Sequence, residues 1–192
     1  MANRDAPRGL IPLSHLTGGV IRASEYTITS GYGTLIATGD PVVTNASVGS
    51  RQTIERAAVD SVPVGVFGGC YYVDSTGEPR FEKVWRAGTT VLANTVVRAI
   101  VYDDPDQKFV MQGDTVLPAT SVGRYCQFLV ATGSEVTGRS AFEIDISLAS
   151  ATKGTLPLKI MSFVEAPDND PTLINADYVV MFAQHELRAV MP

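Results

Sequence analysis

The sequence predicts an all-β protein with a single β-sandwich or β-barrel-like body of about ten short strands. Residues 142–148 alternate four apolar with three polar residues, which is the period of a strand with one solvated face. Other short runs rich in β-branched and aromatic residues recur between turn-forming Gly, Pro, Asp and Asn. Only residues 52–59 suit a helix, and they are few, so an architecture of strands alternating with long helices is excluded. The pattern leaves sandwich and barrel open.

Residues 1–24 are expected to form an extended N-terminal arm, and residues 25–192 the β-rich body. The arm contains Pro7, Gly9 and Pro12 and has no sustained apolar period, so it is a poor helix candidate. Segments of this kind can become ordered when they dock on a partner. The arm is therefore a candidate for contacts between subunits.

The first strands of the body follow the arm in close succession. Residues 26–29 and 34–37 are short β-rich runs on either side of a glycine-containing turn, which predicts two strands. Residues 42–44 form the next run, and Pro41 before them is tolerated at the first position of a strand.

A long apolar run over residues 62–73 is the expected central strand. Its glycines permit bulges or a close backbone approach, so the strand is predicted to curve. A turn then leads into residues 81–85, the expected hairpin partner, which places Trp85 against the central strand. The remaining strands, each bounded by Gly, Pro, Asp or Asn, are expected at residues 96–102, 108–112, 125–131, 156–163 and 178–184.

Composition restricts the partners of the chain. With 192 residues, of which 45% are hydrophobic and 18% charged, the chain can bury one sizeable core. A formal net charge of −5 without a cluster of Lys and Arg argues against a nucleic-acid partner. The N-terminus lacks the apolar stretch of a signal peptide, and no apolar run reaches the length of a membrane span, so we expect no membrane partner.

Cysteine and histidine are too scarce to indicate a catalytic site. Cys70 and Cys126 lie among apolar and aromatic residues, which predicts buried free thiols in a reducing compartment. The two histidines are His15 and His185. A pair of Cys70 and His185 could in principle supply a nucleophile and a base, but no local motif supports it. We therefore expect no enzyme activity, no catalytic residue and no cofactor.

Two weaker candidates concern metal and carbohydrate. Residues 103–107, Asp-Asp-Pro-Asp-Gln, are compatible in principle with a calcium loop. They lack EF-hand spacing, and Asp-Pro-Asp between two strands is ordinary turn chemistry, so we expect an acidic turn without a metal. Tyr32, Tyr71, Tyr72 or Trp85 could stack on a sugar if exposed, but packing in the core or in a subunit contact is favoured.

Several short segments within roughly the first 115 residues carry a resemblance that periodicity alone does not supply. They are residues 3–7 (Asn-Arg-Asp-Ala-Pro), 9–10 (Gly-Leu), 15–19 (His-Leu-Thr-Gly-Gly), 21–22 (Ile-Arg), 25–26 (Glu-Tyr), 39–42 (Gly-Asp-Pro-Val), 65–73 (Gly-Val-Phe-Gly-Gly-Cys-Tyr-Tyr-Val), Trp85 and 101–105 (Val-Tyr-Asp-Asp-Pro). In these segments the chain resembles the head decoration, or cement, proteins of tailed bacteriophages. The chain after about residue 115 fits this resemblance less distinctly.

The resemblance implies a structural virion protein on the capsid exterior. Such a protein bridges capsomers of the major capsid protein, often as a homotrimer, and is assembled in the cytoplasm of the bacterial host. Multivalent attachment can supply its affinity, and a trimer matches the local three-fold positions of an icosahedral shell. The resemblance implies no catalytic, cofactor-binding or metal-binding residue.

On this hypothesis the arm supplies the contacts with the capsid or with other subunits. The candidate contact residues are Arg4, Arg8, Leu10, Ile11 and Leu16. The alternative is another virion component, such as a carbohydrate-binding adhesin of the tail or of a head fibre.

Overall fold

The computed structural model describes residues 3–48, 51–59, 61–118, 122–151 and 156–188. Within these ranges the chain is all-β without a helix, and antiparallel sheets form a sandwich-like body, so the predicted fold class is confirmed. The strands in chain order are β1 Ile11–His15, β2 Ser24–Tyr26, β3 Ile36–Ala37, β4 Pro41–Val48, β5 Arg51–Arg56, β6 Gly65–Val73, β7 Pro79–Glu82, β8 Val84–Trp85, β9 Arg98–Tyr102, β10 Gln107–Gln112, β11 Tyr125–Leu129, β12 Glu143–Ser150, β13 Leu158–Phe163 and β14 Asp177–Phe182.

The first sheet has six strands in the order β1-β10-β14-β13-β11-β12. Buried apolar side chains from these strands form one core cluster, to which Leu10 and Val66 also belong. Within it the rings of Phe109 and Phe182 lie 5.3 Å apart between centroids, a spacing at which aromatic pairs attract each other. β1 and β12 form the two edges of this sheet.

The second sheet has the order β2-β9-β6-β4-β5, with β7 paired to β6. A parallel bridge between Thr27 and Thr53 joins its two ends. There the Thr27 N–H donates to the Gln52 carbonyl oxygen at 3.0 Å, and the Ile54 N–H donates to the Thr27 carbonyl oxygen at 2.8 Å. The sheet therefore curls back on itself around a second core cluster that contains Trp85.

The alternating segment forms strand β12 as predicted. Phe142, Ile144 and Ile146 are buried, whereas Glu143 and Asp145 between them are partly exposed. This alternation is the consequence of a pleat that sends successive side chains to opposite faces.

Residues 52–59, the one segment that suited a helix, lie largely in strand β5 instead. β5 pairs antiparallel with β4, with Val42 opposite Arg56 and Thr44 opposite Ile54. The adjacent Thr53 and Ile54 are both buried, at 3% and 1% exposure. Pairing on one side with β4 and on the other with Thr27 overrides a weak local preference for helix.

The long apolar run forms strand β6, which pairs with β4, β7 and β9. Its register on β9 shifts between Phe67 and Gly69, which is the irregularity that the glycines predicted. Trp85 is fully buried and lies edge-on to Tyr72, with ring centroids 5.6 Å apart. The expected packing of Trp85 against the central strand is therefore confirmed.

Candidate functional site: the N-terminal face

The N-terminal face consists of residues 3–21 together with the body surface that they cover. Its first anchor is the Asn3 side chain. Asn3 Nδ2 donates to the carbonyl oxygens of Asp170 and Ile174 at 2.8 and 2.9 Å, and Asn3 Oδ1 accepts from the Asp170 N–H at 2.8 Å. Both donors and the acceptor of this amide are thus used, and they fix the start of the segment to the loop before β14.

Gln112 at the end of β10 is the second anchor. Its Nε2 donates to the carbonyl oxygens of Arg4 and Asn175, both at 2.9 Å, and its Oε1 accepts from the Ala6 N–H at 3.0 Å. Gln112 is only 2% exposed. Because a buried amide is costly to leave unpaired, these bonds hold the residues around Arg4 and Ala6 against the body.

The chain then crosses the turn before β4 at a contact between two glycines. Gly9 and Gly39 have φ values of 67° and 97°. A Cβ atom on Gly9 would lie closer than 3.0 Å to the Gly39 carbonyl oxygen and to the Ser140 side chain. The Leu10 N–H donates to the Gly39 carbonyl oxygen at 2.9 Å. Glycine is therefore required at this crossing both by conformation and by space.

A buried carboxyl group, Asp40, lies next to the crossing. Asp40 is 0% exposed, and its Oδ2 accepts from the Ala37 N–H at 2.9 Å. Its Oδ1 has no hydrogen-bond partner in the described part of the chain. Burial raises the pKa of Asp40 to about 6. Ionisation of Asp40 at neutral pH therefore opposes the folded state.

The segment carries a group of exposed apolar side chains, named here the apolar stripe, of which two lie on an open edge strand and three lie in the residues that follow it. β1 pairs with β10 on one side and is the last strand of its sheet. Pro12 removes one N–H from β1, which limits unspecific pairing along the edge. Exposed apolar side chains on such an edge can be buried by another protein. The side chains of the apolar stripe, 37% to 81% exposed, are Ile11, Leu13, Leu16, Val20 and Ile21.

A cleft of about 350 Å³ lies beside the first residues of the segment. Three arginines, Arg4, Arg8 and Arg139, and two aspartates, Asp168 and Asp177, are among the residues that line it. Arg8 is ion-paired with Asp177. Among the residues that the structure describes, the guanidinium groups of Arg4 and Arg139 have no hydrogen-bond or ion-pair partner. We name this feature the arginine cleft.

The acidic turn before β10 has partners within the chain. Asp103 accepts hydrogen bonds from two hydroxyl groups, Asp104 lies 3.2 Å from His15 Nε2, and Asp106 is ion-paired with Arg188. The donor atoms of His15, Asp104 and Asp106 also lie within 4.8 Å of one another, close enough to share a cation. Each of the three carboxylates has a partner within the chain, as an acidic turn without a metal requires. That no metal binds here remains a prediction.

The aromatic residues considered for stacking on sugars are mostly internal. Trp85 and Tyr72 are buried, and Trp85 Nε1 donates to the Tyr32 carbonyl oxygen at 3.2 Å. Tyr71 is partly buried and lies against Phe81, with ring centroids 4.4 Å apart. Phe81 itself is 81% exposed, and the sequence pattern did not single it out. Packing of Trp85 and Tyr72 in the core is therefore confirmed.

Cys70 and His185 are not hydrogen-bonded to each other. Cys70 Sγ lies 3.9 Å from the Val84 carbonyl oxygen, and His185 Nδ1 accepts from the Leu187 N–H at 3.1 Å. Burial raises the pKa of the Cys70 and Cys126 thiols to about 12 and lowers the pKa of His185 to about 4. The thiols are free and buried as predicted, and a protonated buried thiol is a poor nucleophile.

The predicted contact residues fall into two groups. Arg4, Ile11 and Leu16 are exposed, with 39% exposure for Ile11 and 44% for Leu16. Leu10 is 1% exposed within the first core cluster, and Arg8 is paired with Asp177. Leu10 and Arg8 thus make contacts within the chain, while the exposed three remain accessible for the predicted contact with another subunit.

Sequence reasoning missed two parts of the N-terminal face. Arg139 reaches the arginine cleft from a loop far along the chain, and no local motif around it signals this position. Leu13 and Val20 belong to the apolar stripe, and Leu13 could have been found because it lies two residues from Ile11 in an extended segment.

No helix in the described ranges is long and apolar enough to cross a membrane. In comparisons with known proteins, no family model, no curated protein and no solved structure matches the chain. The function proposed for the chain therefore depends on the sequence resemblance and on the geometry of the N-terminal face.

Proposed function

We propose that this chain is a structural virion protein of a tailed bacteriophage, which decorates the outer capsid and cements it by bridging capsomers of the major capsid protein. The resemblance in residues 3–7, 15–19, 39–42, 65–73 and 101–105 motivates the assignment to a phage head. The observation that carries attachment is the apolar stripe, which begins on the open edge strand β1 and continues in the residues after it. The virion is the proposed location, and assembly takes place in the host cytoplasm.

The apolar stripe supplies the energy for docking. Burying a half-exposed Leu or Val side chain contributes about 1 kcal/mol, so the stripe can contribute several kcal/mol per copy before ordering costs. The bonds of Asn3 and Gln112 hold the preceding residues in place, and this preorganisation lowers the ordering cost of docking. An open strand edge can also receive a strand of the partner.

A homotrimer is the oligomeric state that fits this role. Three copies around a local three-fold position of the shell would engage three equivalent capsid sites at once. Modest contacts from each copy then combine into tight attachment without any new contact. The proposed partners are therefore the major capsid protein and two further copies of this chain.

Co-sedimentation with heads of the parent phage that lack this protein tests the proposal. Purified chain should sediment with the heads and raise the temperature at which they release their DNA. A variant with Leu13→Ser, Leu16→Ser and Val20→Ser should bind at least about 100-fold more weakly, because about 3 kcal/mol of burial is lost per copy and the losses multiply when three copies bind together. Substitution is preferable to deletion of the segment, since Leu10 contributes to the core and β1 covers β10.

The matched control changes three exposed apolar residues outside the N-terminal face. Phe81, Val136 and Leu187 are 81%, 96% and 53% exposed, and their replacement by Ser should leave head binding unchanged. Equal binding by both triple variants would exclude the apolar stripe as the docking surface. Failure of the wild-type chain to bind heads would exclude the proposed function.

The alternative, a carbohydrate-binding adhesin of the tail or of a head fibre, has a separate test. Antibody labelling of intact virions distinguishes head from tail, and a glycan array detects sugar binding. The burial of Trp85 and Tyr72 removes two of the aromatic side chains that could have stacked on a sugar. The proposal includes no enzyme activity and no cofactor.

A further inference from the structure

We infer that the arginine cleft binds a carboxylate side chain of a partner polypeptide. The cleft lies beside the start of the N-terminal segment, so it belongs to the surface through which the protein is proposed to dock. That the partner is a capsid subunit rests on the proposed function, whereas binding of a carboxylate does not.

Three of the four side-chain amides that line the cleft are already occupied. Asn3 and Gln112 use their amide groups to hold the N-terminal segment. Asn169 Nδ2 donates to the carbonyl oxygens of Val164 and Asp177 at 2.8 and 2.9 Å, and its Oδ1 accepts from the Asp177 N–H at 2.8 Å. The cleft is therefore preformed, and these amides stabilise its walls instead of binding a ligand.

The charged residues of the arginine cleft that are not ion-paired within the chain are mainly positive. Arg8 and Asp177 neutralise each other, which leaves Arg4, Arg139 and the exposed Asp168 as the other charged residues of the lining. A guanidinium presents parallel N–H donors that match the two oxygens of a carboxylate. Arg4 and Arg139 can therefore bind an anion of that shape.

The size and charge of the cleft indicate a side chain of a protein. A volume of about 350 Å³ is at the small end of ligand sites and holds one or two acidic side chains. Binding to a phosphate backbone requires a row of cations along the surface. The cleft offers only two unpaired cations, and Asp168 also lines it, an arrangement that disfavours a phosphate backbone.

Titration with a capped tetraglutamate peptide, followed by two-dimensional NMR, tests the inference on the full chain. The wild-type protein should show saturable shifts of signals from the cleft, including the Arg4 and Arg139 side chains. A variant with Arg4→Gln and Arg139→Gln should bind at least about 10-fold more weakly, since charged hydrogen bonds are lost. The matched control, Arg22→Gln with Arg124→Gln, removes the same charge outside the cleft and should bind like the wild type.

Three results would overturn the inference. They are equal binding by the cleft variant and the control, shifts caused equally by a capped tetralysine peptide, and shifts caused by inorganic phosphate but not by tetraglutamate. None of these results depends on phage heads. Loss of peptide binding together with intact head binding would therefore reject the carboxylate site and leave the proposed function standing.

Discussion

Replacing the buried Asp40 with asparagine should remove a pH-dependent cost to folding. Asp40 is fully buried with one carboxylate oxygen unpaired. The asparagine retains an oxygen that can accept from the Ala37 N–H, as Asp40 Oδ2 does. Its amide nitrogen takes the place of the unpaired oxygen, and leaving that nitrogen unpaired costs about 1–3 kcal/mol at every pH.

The magnitude follows from the pKa of Asp40, which rises from 3.8 to about 6 on folding because of burial. At roughly 1.4 kcal/mol per pKa unit, the full effect is about 3 kcal/mol. A carboxyl group whose pKa is raised in the folded state binds protons more readily there, so its contribution to stability falls as the pH rises through this window. Between about pH 4.5 and about pH 7, the contribution of Asp40 to the free energy of unfolding falls by about 2 kcal/mol.

Urea denaturation at these two pH values measures the effect. The free energy of unfolding of the Asp40→Asn variant, relative to wild type, should rise by about 2 kcal/mol between about pH 4.5 and about pH 7. Other titrating groups are common to both proteins and largely cancel in this difference. Glu165→Gln, at an exposed position, is the control and should show no such change.

A difference that stays constant between the two pH values would refute the reasoning. A change in the opposite direction would do the same. Either result would mean that the Asp40 carboxyl group is hydrated or paired in the folded protein.

Three further predictions concern His185, Gly9 and the acidic turn. Burial lowers the pKa of His185 from 6.5 to about 4. In the same urea series, the free energy of unfolding of the wild type should therefore fall by about 2 kcal/mol relative to His185→Asn between about pH 7 and about pH 4.5. A difference that stays constant would contradict this. Gly9→Ala should lower the free energy of unfolding by about 2–4 kcal/mol. Gly18 also has a positive φ but has open space around it, so Gly18→Ala should lower the free energy of unfolding by only about 1 kcal/mol. Equal losses would show that the crossing at Gly9 is not tight. Addition of millimolar calcium should leave the melting temperature unchanged, and a rise that His15→Gln abolishes would establish a metal site at the turn.

Most strands could be predicted because their signals are local. The alternation over residues 142–148 and the apolar run over residues 62–73 carry the β period and its turns within the segment itself. Strands β1 and β5 could not be assigned in this way. β1 is defined by its pairing with β10, about a hundred residues away, and β5 by its pairing with β4 and Thr27.

The N-terminal face was only partly predictable for the same reason. Ile11 and Leu16 could be proposed from the sequence because they are apolar residues in a segment that has neither a helix period nor a strand period. The core position of Leu10 depends on its crossing over Gly39. The arginine cleft depends on Arg139, which the fold brings beside Arg4. Contacts between distant segments leave no local pattern, and here they decide the chemistry of the site.

Electron cryomicroscopy of intact phage heads tests the central claim most directly. We predict density for this chain on the outer surface of the capsid, as three copies around each local three-fold position, with residues 3–21 turned towards the major capsid protein. Heads that lack such density, or density for this chain on the tail, would contradict the account.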